Sequence, residues 1–271
     1  MVSAARYDES IIRGTSMIRL TYVLRRREDV AFADFQAYWL NEHGPKVQQV
    51  AAELNIRRYV QVHTLVEPES PTTDHLRGQM QKPFDGVAEF WFDSLESLLA
   101  STEKSRAIDA ELIQDERNFI DHDHSAGWIA YDCPQINASP ETVVATPDSS
   151  IVKLFYVLNY PQQANLDDAQ WYWRVQHGPL VRQVGPEIQA LRYIQVHRLA
   201  HDFNRAFAIS RGTLNEYFGH AELWFDLDNQ PKEGAQDASV LLYEDEAKFI
   251  DFSRSSVWYG KEHVLVDDAK G

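Results

Sequence analysis

Residues 38–45 read YWLNEHGP and residues 172–179 read YWRVQHGP. One frame, a Tyr-Trp pair followed by a three-residue spacer and His-Gly-Pro, is written twice, 134 positions apart. Working outward at that offset, MIRLTYVL lies on IVKLFYVL and RRYVQVH on LRYIQVH without a gap. Met17 to His63 shares 20 of 47 positions with the second copy. That density is duplication. Beyond loops of unequal length the match resumes, GVAEFWFD (residues 86–93) with GHAELWFD (219–226), then ERNFID with EAKFID, each followed by a Trp at 128 or 258.

Each copy carries the same periods. MIRLTYVL alternates and is rich in β-branched and aromatic residues, which predicts a strand. AFADFQAYWLNEH spaces Phe32, Phe35, Trp39 and His43 along one helical face, with Gly44 expected to stop the helix and Pro45 to open the next turn. RRYVQVH and VAEFWF alternate again, residues 94–121 pattern as helix, and SAGWIAY closes the copy as a strand. The order is βαββαβ, so the fold class expected is α+β: two ferredoxin-like units whose four-stranded antiparallel sheets pack into one intrachain barrel. The expected boundaries are a tail at 1–16, a first repeat at 17–133, a polar, proline-bearing linker at 134–150, a second repeat at 151–262 and a tail at 263–271.

Composition narrows the function classes. A net charge of −15 with no compensating basic stripe argues against nucleic acid and anionic lipid as partners. No apolar run reaches the roughly 20 residues of a membrane helix, residues 1–16 lack the apolar block of a secretory leader, and Cys133 is the single cysteine. A cytoplasmic protein is expected. Exposed sheet edges would leave room for a homodimer.

The strand MIRLTYVLRRR, the helix ending in YWLNEHGP, the strand RRYVQVH and the strand GVAEFWFD together resemble the EthD-domain family of the dimeric α+β barrel superfamily, in two copies spanning nearly the whole chain. The resemblance implies a ligand pocket between helices and sheet. It also implies decarboxylation, dehydration, cyclisation or cofactor-free oxygenation of aromatic and polyketide compounds, with haem chemistry in distant branches. The haem signature Gly-x-x-Asp-Gly is only half present, as Lys82 to Gly86.

Alternation sorts the candidates. Leu20, Tyr22, Leu24, Val60, Val62, Ala88, Phe90 and Phe92 are expected beneath the helices, with their second-copy counterparts around Tyr156. There His43 and His177 would serve as general acid or base, because imidazole titrates near neutrality, and Tyr22 and Tyr156 would hold or polarise an oxygen, beside Trp39 and Trp173. The bland alternative for each His is a bond to the backbone that fixes the helix end. The opposite parity, Tyr59, Gln61, His63, Glu89 and Trp91 with Tyr193, Gln195, His197, Glu222 and Trp224, is expected to meet at the barrel centre as a His-Glu network or as substrate contacts. The long connections near residues 66–84 and 199–218 differ between copies and read as lids, and His75, His201 and His220 on or beside them as solvated. His122 and His124 lack a third ligand, so no metal and no organic cofactor is expected. The leading functional expectation is a cofactor-independent lyase, of decarboxylase or dehydratase type, on a bulky aromatic or phenolic molecule. A cofactor-free oxygenase or cyclase, or a non-catalytic aromatic-compound binder, stands as the alternative.

Overall fold

The computed structural model describes residues 17–66, 75–137, 143–214 and 217–268. The expected tail at 1–16 and residues 269–271 lie outside them. The first repeat runs β1 (Ile18–Arg26), α1 (Phe32–Tyr38), a π turn (Trp39–His43), α2 (Gly44–Val50), β2 (Arg58–Thr64), β3 (Gly86–Phe92), α3 (Leu95–Lys104), α4 (Arg106–Glu116) and β4 (Ile120–Ile136). The second follows with β5 (Ile151–Leu158), α5 (Leu166–Tyr172), a π turn (Trp173–His177), α6 (Gly178–Ile188), β6 (Arg192–Arg198), α7 (Asp202–Arg211), β7 (Gly219–Asp226), α8 (Ala235–Glu246) and β8 (Ser256–Asp267). Among the described residues no helix is long and apolar enough to cross a membrane.

The eight strands close into one antiparallel barrel in the order β1-β3-β2-β8-β5-β7-β6-β4. Each repeat supplies a four-stranded sheet, and the long last strands weld the two together. β4 pairs with β1 up to Ala130, then with β6 as far as Ile136; β8 leaves β5 at Gly260 and pairs with β2. The strands therefore run past the expected repeat ends at 133 and 262. Closure also removes the free edges on which the homodimer expectation rested, because every strand has two partners.

Three apolar cores result. The barrel interior holds Val23, Val60, Val62, Val87, Trp128, Phe155, Val196, Trp224 and Trp258, while separate cores around Phe35, Trp39 and Phe119 and around Trp173, Phe218 and Phe249 lie between helices and sheet. Each buried side chain of this size contributes about 1.5–3 kcal/mol.

Gly44 does not stop its helix. Its φ of −53° and ψ of −49° are helical, and the chain passes from α1 through the π turn into α2 without a break. The Pro45 ring, lacking an N–H, would clash with the carbonyl four residues back in a regular helix. The wider turn relieves this: the Gly44 N–H donates to the Trp39 carbonyl, five residues back. Close approach favours glycine there, since a Cβ would sit 2.8 Å from Leu265 Cδ1 and 3.0 Å from Gln61 Nε2; at Gly178 it would sit 2.8 Å from Gln135 Oε1 and 3.0 Å from Gln195 Nε2.

That packing overturns the expected facing of strand two. Register sets Tyr59 opposite Phe90 and Gln61 opposite Ala88, on the face beneath the helices, and sets Val60 opposite Glu89, on the barrel face. Tyr59, Gln61, His63, Tyr193, Gln195 and His197 therefore belong to the helix layer, whereas Val60 and Val62 fill the barrel. The physical reason is the π turn. Its Trp39 and Trp173 carbonyls accept second hydrogen bonds, from Gln61 and Gln195 at 2.9 Å each, so the helix face demands polar side chains. Glu89, Trp91, Glu222 and Trp224 do face the barrel, as expected.

Candidate active site

The π turn brings Tyr38, His43 and Lys46 together over α4, and all three reach Asp115. The Tyr38 hydroxyl donates to its Oδ1 at 2.8 Å, His43 Nδ1 lies 2.8 Å from its Oδ2, and the Lys46 ammonium adds a third contact. The second repeat rebuilds the group around Asp245 on α8, with Tyr172 at 2.7 Å, His177 Nδ1 at 2.8 Å and Lys248 at 3.0 Å. The hydrogen bond from the histidine holds each aspartate below the ordinary carboxylate range, despite partial burial. An ionised carboxylate accepts only, so Nδ1 carries a proton, and in the neutral imidazole Nε2 is the nitrogen with the free lone pair. The alternative role, a backbone bond fixing the helix end, is not what forms: neither histidine side chain caps the following helix.

Both histidines line cavities between helices and sheet. The first-repeat cavity, about 280 Å³, is walled by Leu20, Tyr22, Trp39, Tyr59 and Phe90. The second, about 380 Å³, is walled by Leu154, Tyr156, Trp173, Tyr193 and Leu223. The Tyr22 hydroxyl is buried and has no hydrogen-bond partner among the described residues, whereas the buried Tyr156 hydroxyl lies against Arg77 and Glu246. Burial, with a glutamate nearby, raises both well above the ordinary tyrosine range, so each stays a neutral O–H donor.

The remaining predicted residues stand outside the cavities. His63 stacks on Trp39 at 4.7 Å between ring centroids and His197 on Trp173 at 4.5 Å, each bonded through Nε2 to its neighbouring glutamine. Burial pushes both imidazoles down to about 3, so they remain neutral. They brace the tryptophans and make no His-Glu pair across the barrel.

Glu89 and Glu222 meet at the barrel centre around two cations. Arg19 bonds Glu89, Glu222 and Asp132; Lys153 Nζ lies 2.7 Å from Glu89 and 3.0 Å from Glu222. Burial and the Glu222 carboxylate push Glu89 up to about 8, while Arg19 and Lys153 hold Glu222 down against its burial. His220, expected to be solvated, is fully buried, 3.1 Å from Glu222. Glu89, His220 and Glu222 form a ligand-like trio, but Arg19 and Lys153 already occupy its glutamate oxygens. His122 and His124 are each tied elsewhere, to the Arg211 carbonyl and to Asp121.

Sequence reasoning missed the aspartates and two further pairs. Glu116, next to Asp115, takes Arg211 Nε at 3.1 Å; Glu246, next to Asp245, takes Arg77 Nε at 2.6 Å and Nη2 at 2.8 Å. The signals were present. An Asp-Glu dipeptide opens the ERNFID and EAKFID matches, and each dissimilar connection contains Arg-Gly, at residues 77–78 and 211–212. Gly78 (φ 67°) and Gly212 (φ 77°) are left-handed and end short helical segments just after the arginine.

Comparison with known proteins agrees with this architecture. A structure described as an anthrone oxidase-like protein superposes with a TM-score of 0.55 at 11% identity, covering 95% of this chain and 96% of its own. An EthD-like protein from Ralstonia eutropha JMP134, 20% identical with a TM-score of 0.33, covers 47% of this chain and 99% of its own, about one repeat. No curated protein matches the sequence. The EthD domain matches residues 27–123 and again residues 162–253, and the chain belongs to the EthD-domain family, with two copies closed into one barrel.

Proposed function

We propose that the chain is a cofactor-independent lyase, of dehydratase or decarboxylase type, acting on a bulky aromatic or phenolic molecule held between helices and sheet. One observation carries the reading. In each repeat a histidine is fixed by an ionised aspartate at 2.8 Å, beside a cavity that also holds a buried tyrosine hydroxyl. Nε2 of His43 or His177 takes a proton from the substrate, and the tyrosine donates to the oxygen on which negative charge develops. The aromatic walls exclude water, which strengthens both contacts.

The test is incubation of the metal-chelated protein with hydroxylated aromatic ketones and phenolic acids, with products read by mass spectrometry. Loss of water or carbon dioxide, abolished in His43→Ala/His177→Ala, is expected. Gain of oxygen would instead favour the oxygenase reading, which the name of the anthrone oxidase-like structure invites; at 11% identity that likeness speaks for fold alone. Saturable binding with no product would favour a binder.

A further inference from the structure

Each cavity is finished by the opposite repeat. Phe203, Phe207 and Arg211, on α7 of the second repeat, wall the first-repeat cavity, and Arg77, from the β2–β3 connection of the first repeat, walls the second. Arg211 lies over the rings of Phe207 (4.4 Å) and Tyr22 (6.0 Å); Arg77 lies over the ring of Tyr156 at 5.4 Å. A lone guanidinium here would be an anchor for a substrate carboxylate. Neither arginine is alone. Arg211 spends Nε and Nη2 on Glu116 and Asp109, which leaves Nη1 without a partner among the described residues. Arg77 is forked onto Glu246, and its cavity is also lined by Glu187, whose Oε2 is buried without a partner, and by Asp226. Asp115 and Asp245 stand behind the histidines. Carboxylates outnumber arginines in both cavities.

We propose that Arg77 and Arg211 are specificity-determining residues delivered crosswise between the repeats, and that the carboxylates neutralising them make both cavities take uncharged hydroxylated aromatic molecules in preference to aromatic carboxylates. The inference rests on reading the cavities as aromatic-substrate sites. A neutral hydroxyl can donate to Glu116 or Glu187 and accept from Arg211 or a tyrosine, whereas a carboxylate can only accept and adds charge to a surplus of its own sign. Of the two lyase types this selects loss of water. Nε2 takes the C–H proton, the C–O bond breaks as the double bond forms, and the departing hydroxide recovers the proton from the imidazolium, so that no oxidant or reductant is consumed.

The test is isothermal titration of the full chain at neutral pH with 2-naphthol and 2-naphthoate, which share a ring system and differ in charge. Naphthol is expected to bind at least about tenfold more tightly. Asp109→Asn, at a half-exposed residue on the cavity rim, and Glu116→Gln should each strengthen naphthoate about three- to tenfold at one site. Glu246→Gln should do so at the other; thermal melts check that each variant is folded. Naphthoate binding as tightly as naphthol to the unaltered protein, or folded Asp109→Asn and Glu116→Gln variants with unchanged naphthoate affinity, would overturn the charge selection and leave the aromatic site standing. Failure of both probes to bind would overturn the site reading as well.

Discussion

Replacing Asp115 by Asn tests the acid-base assignment most directly. The carboxylate accepts from His43 Nδ1, Tyr38 and Lys46. An amide oxygen can still accept from the latter two, but the amide nitrogen then faces Nδ1 and donates to it. Nδ1 must become the acceptor, and the proton moves to Nε2, the nitrogen assigned to take the substrate proton. A positioned general base contributes about 10²–10⁴ in rate, so turnover at the first-repeat cavity should fall by that factor, about 3–5 kcal/mol of barrier. Folding should lose about 1–3 kcal/mol, since a charge-assisted hydrogen bond becomes a neutral one. Long-range proton–nitrogen NMR reads the tautomer without any substrate. His43 should be protonated at Nδ1 in the unaltered protein and at Nε2 in the variant, while His177 serves as an internal control. Asp245→Asn should give the mirror-image result. A His43 protonated at Nε2 from the start, or a tautomer indifferent to the substitution, would refute the reasoning.

Other perturbations follow from the same contacts. Asp115 and Asp245 have folded-state pKa values below their unfolded one of about 3.9. Their contribution is therefore complete above that value and is lost as pH falls through the folded one. Melting temperature should drop below about pH 4, and the Asp115→Asn/Asp245→Asn double variant should flatten that limb in calorimetry. Tyr22→Phe removes a hydroxyl that has no partner among the described residues. Stability should hold or rise by up to about 1 kcal/mol in urea titrations, while activity falls; a loss beyond about 1 kcal/mol would mean the hydroxyl is hydrogen-bonded in the fold. Arg19→Met leaves Glu89 and Glu222 to share Lys153 alone at the barrel centre and should cost about 3–5 kcal/mol, which urea unfolding measures.

Much of this molecule could be read from its sequence because duplication printed each element twice. Strand alternation in MIRLTYVL and VAEFWF correctly set Tyr22 and Tyr156 beneath the helices and Glu89 and Glu222 in the barrel. The rule failed on RYVQVH, where hydrophobic parity sent the valines the wrong way. Polarity on that strand answers to the Trp39 and Trp173 carbonyls, and a π turn has no period that a hydrophobic pattern can reveal. Asp115 escaped because it lies 72 residues from His43 on a separate helix, and only the fold brings the pair together. Arg77 and Arg211 escaped for a different reason: their partners belong to the other repeat, so a search within one copy could not find them.

This crosswise arrangement bears on why both copies share one chain. Were two identical single-repeat chains to build this barrel by twofold symmetry, each cavity would receive the same connection from its partner and the two sites would be alike. Fusion removes that constraint. The 199–218 connection holds a ten-residue helix that walls the first-repeat cavity, whereas the described part of the 66–84 connection holds a single short turn ending in Arg77. The cavity linings diverge in step, with Asp109 facing Arg211 in one and Ser239 lining the other. On the crosswise proposal, selectivity at the first-repeat cavity would be carried by Phe203, Phe207 and Arg211 of the second repeat, which line it. Exchanging the two connections should move ligand preference between the cavities while His43 and His177 stay in place, and a swapped chain whose preferences follow the histidines instead would contradict it.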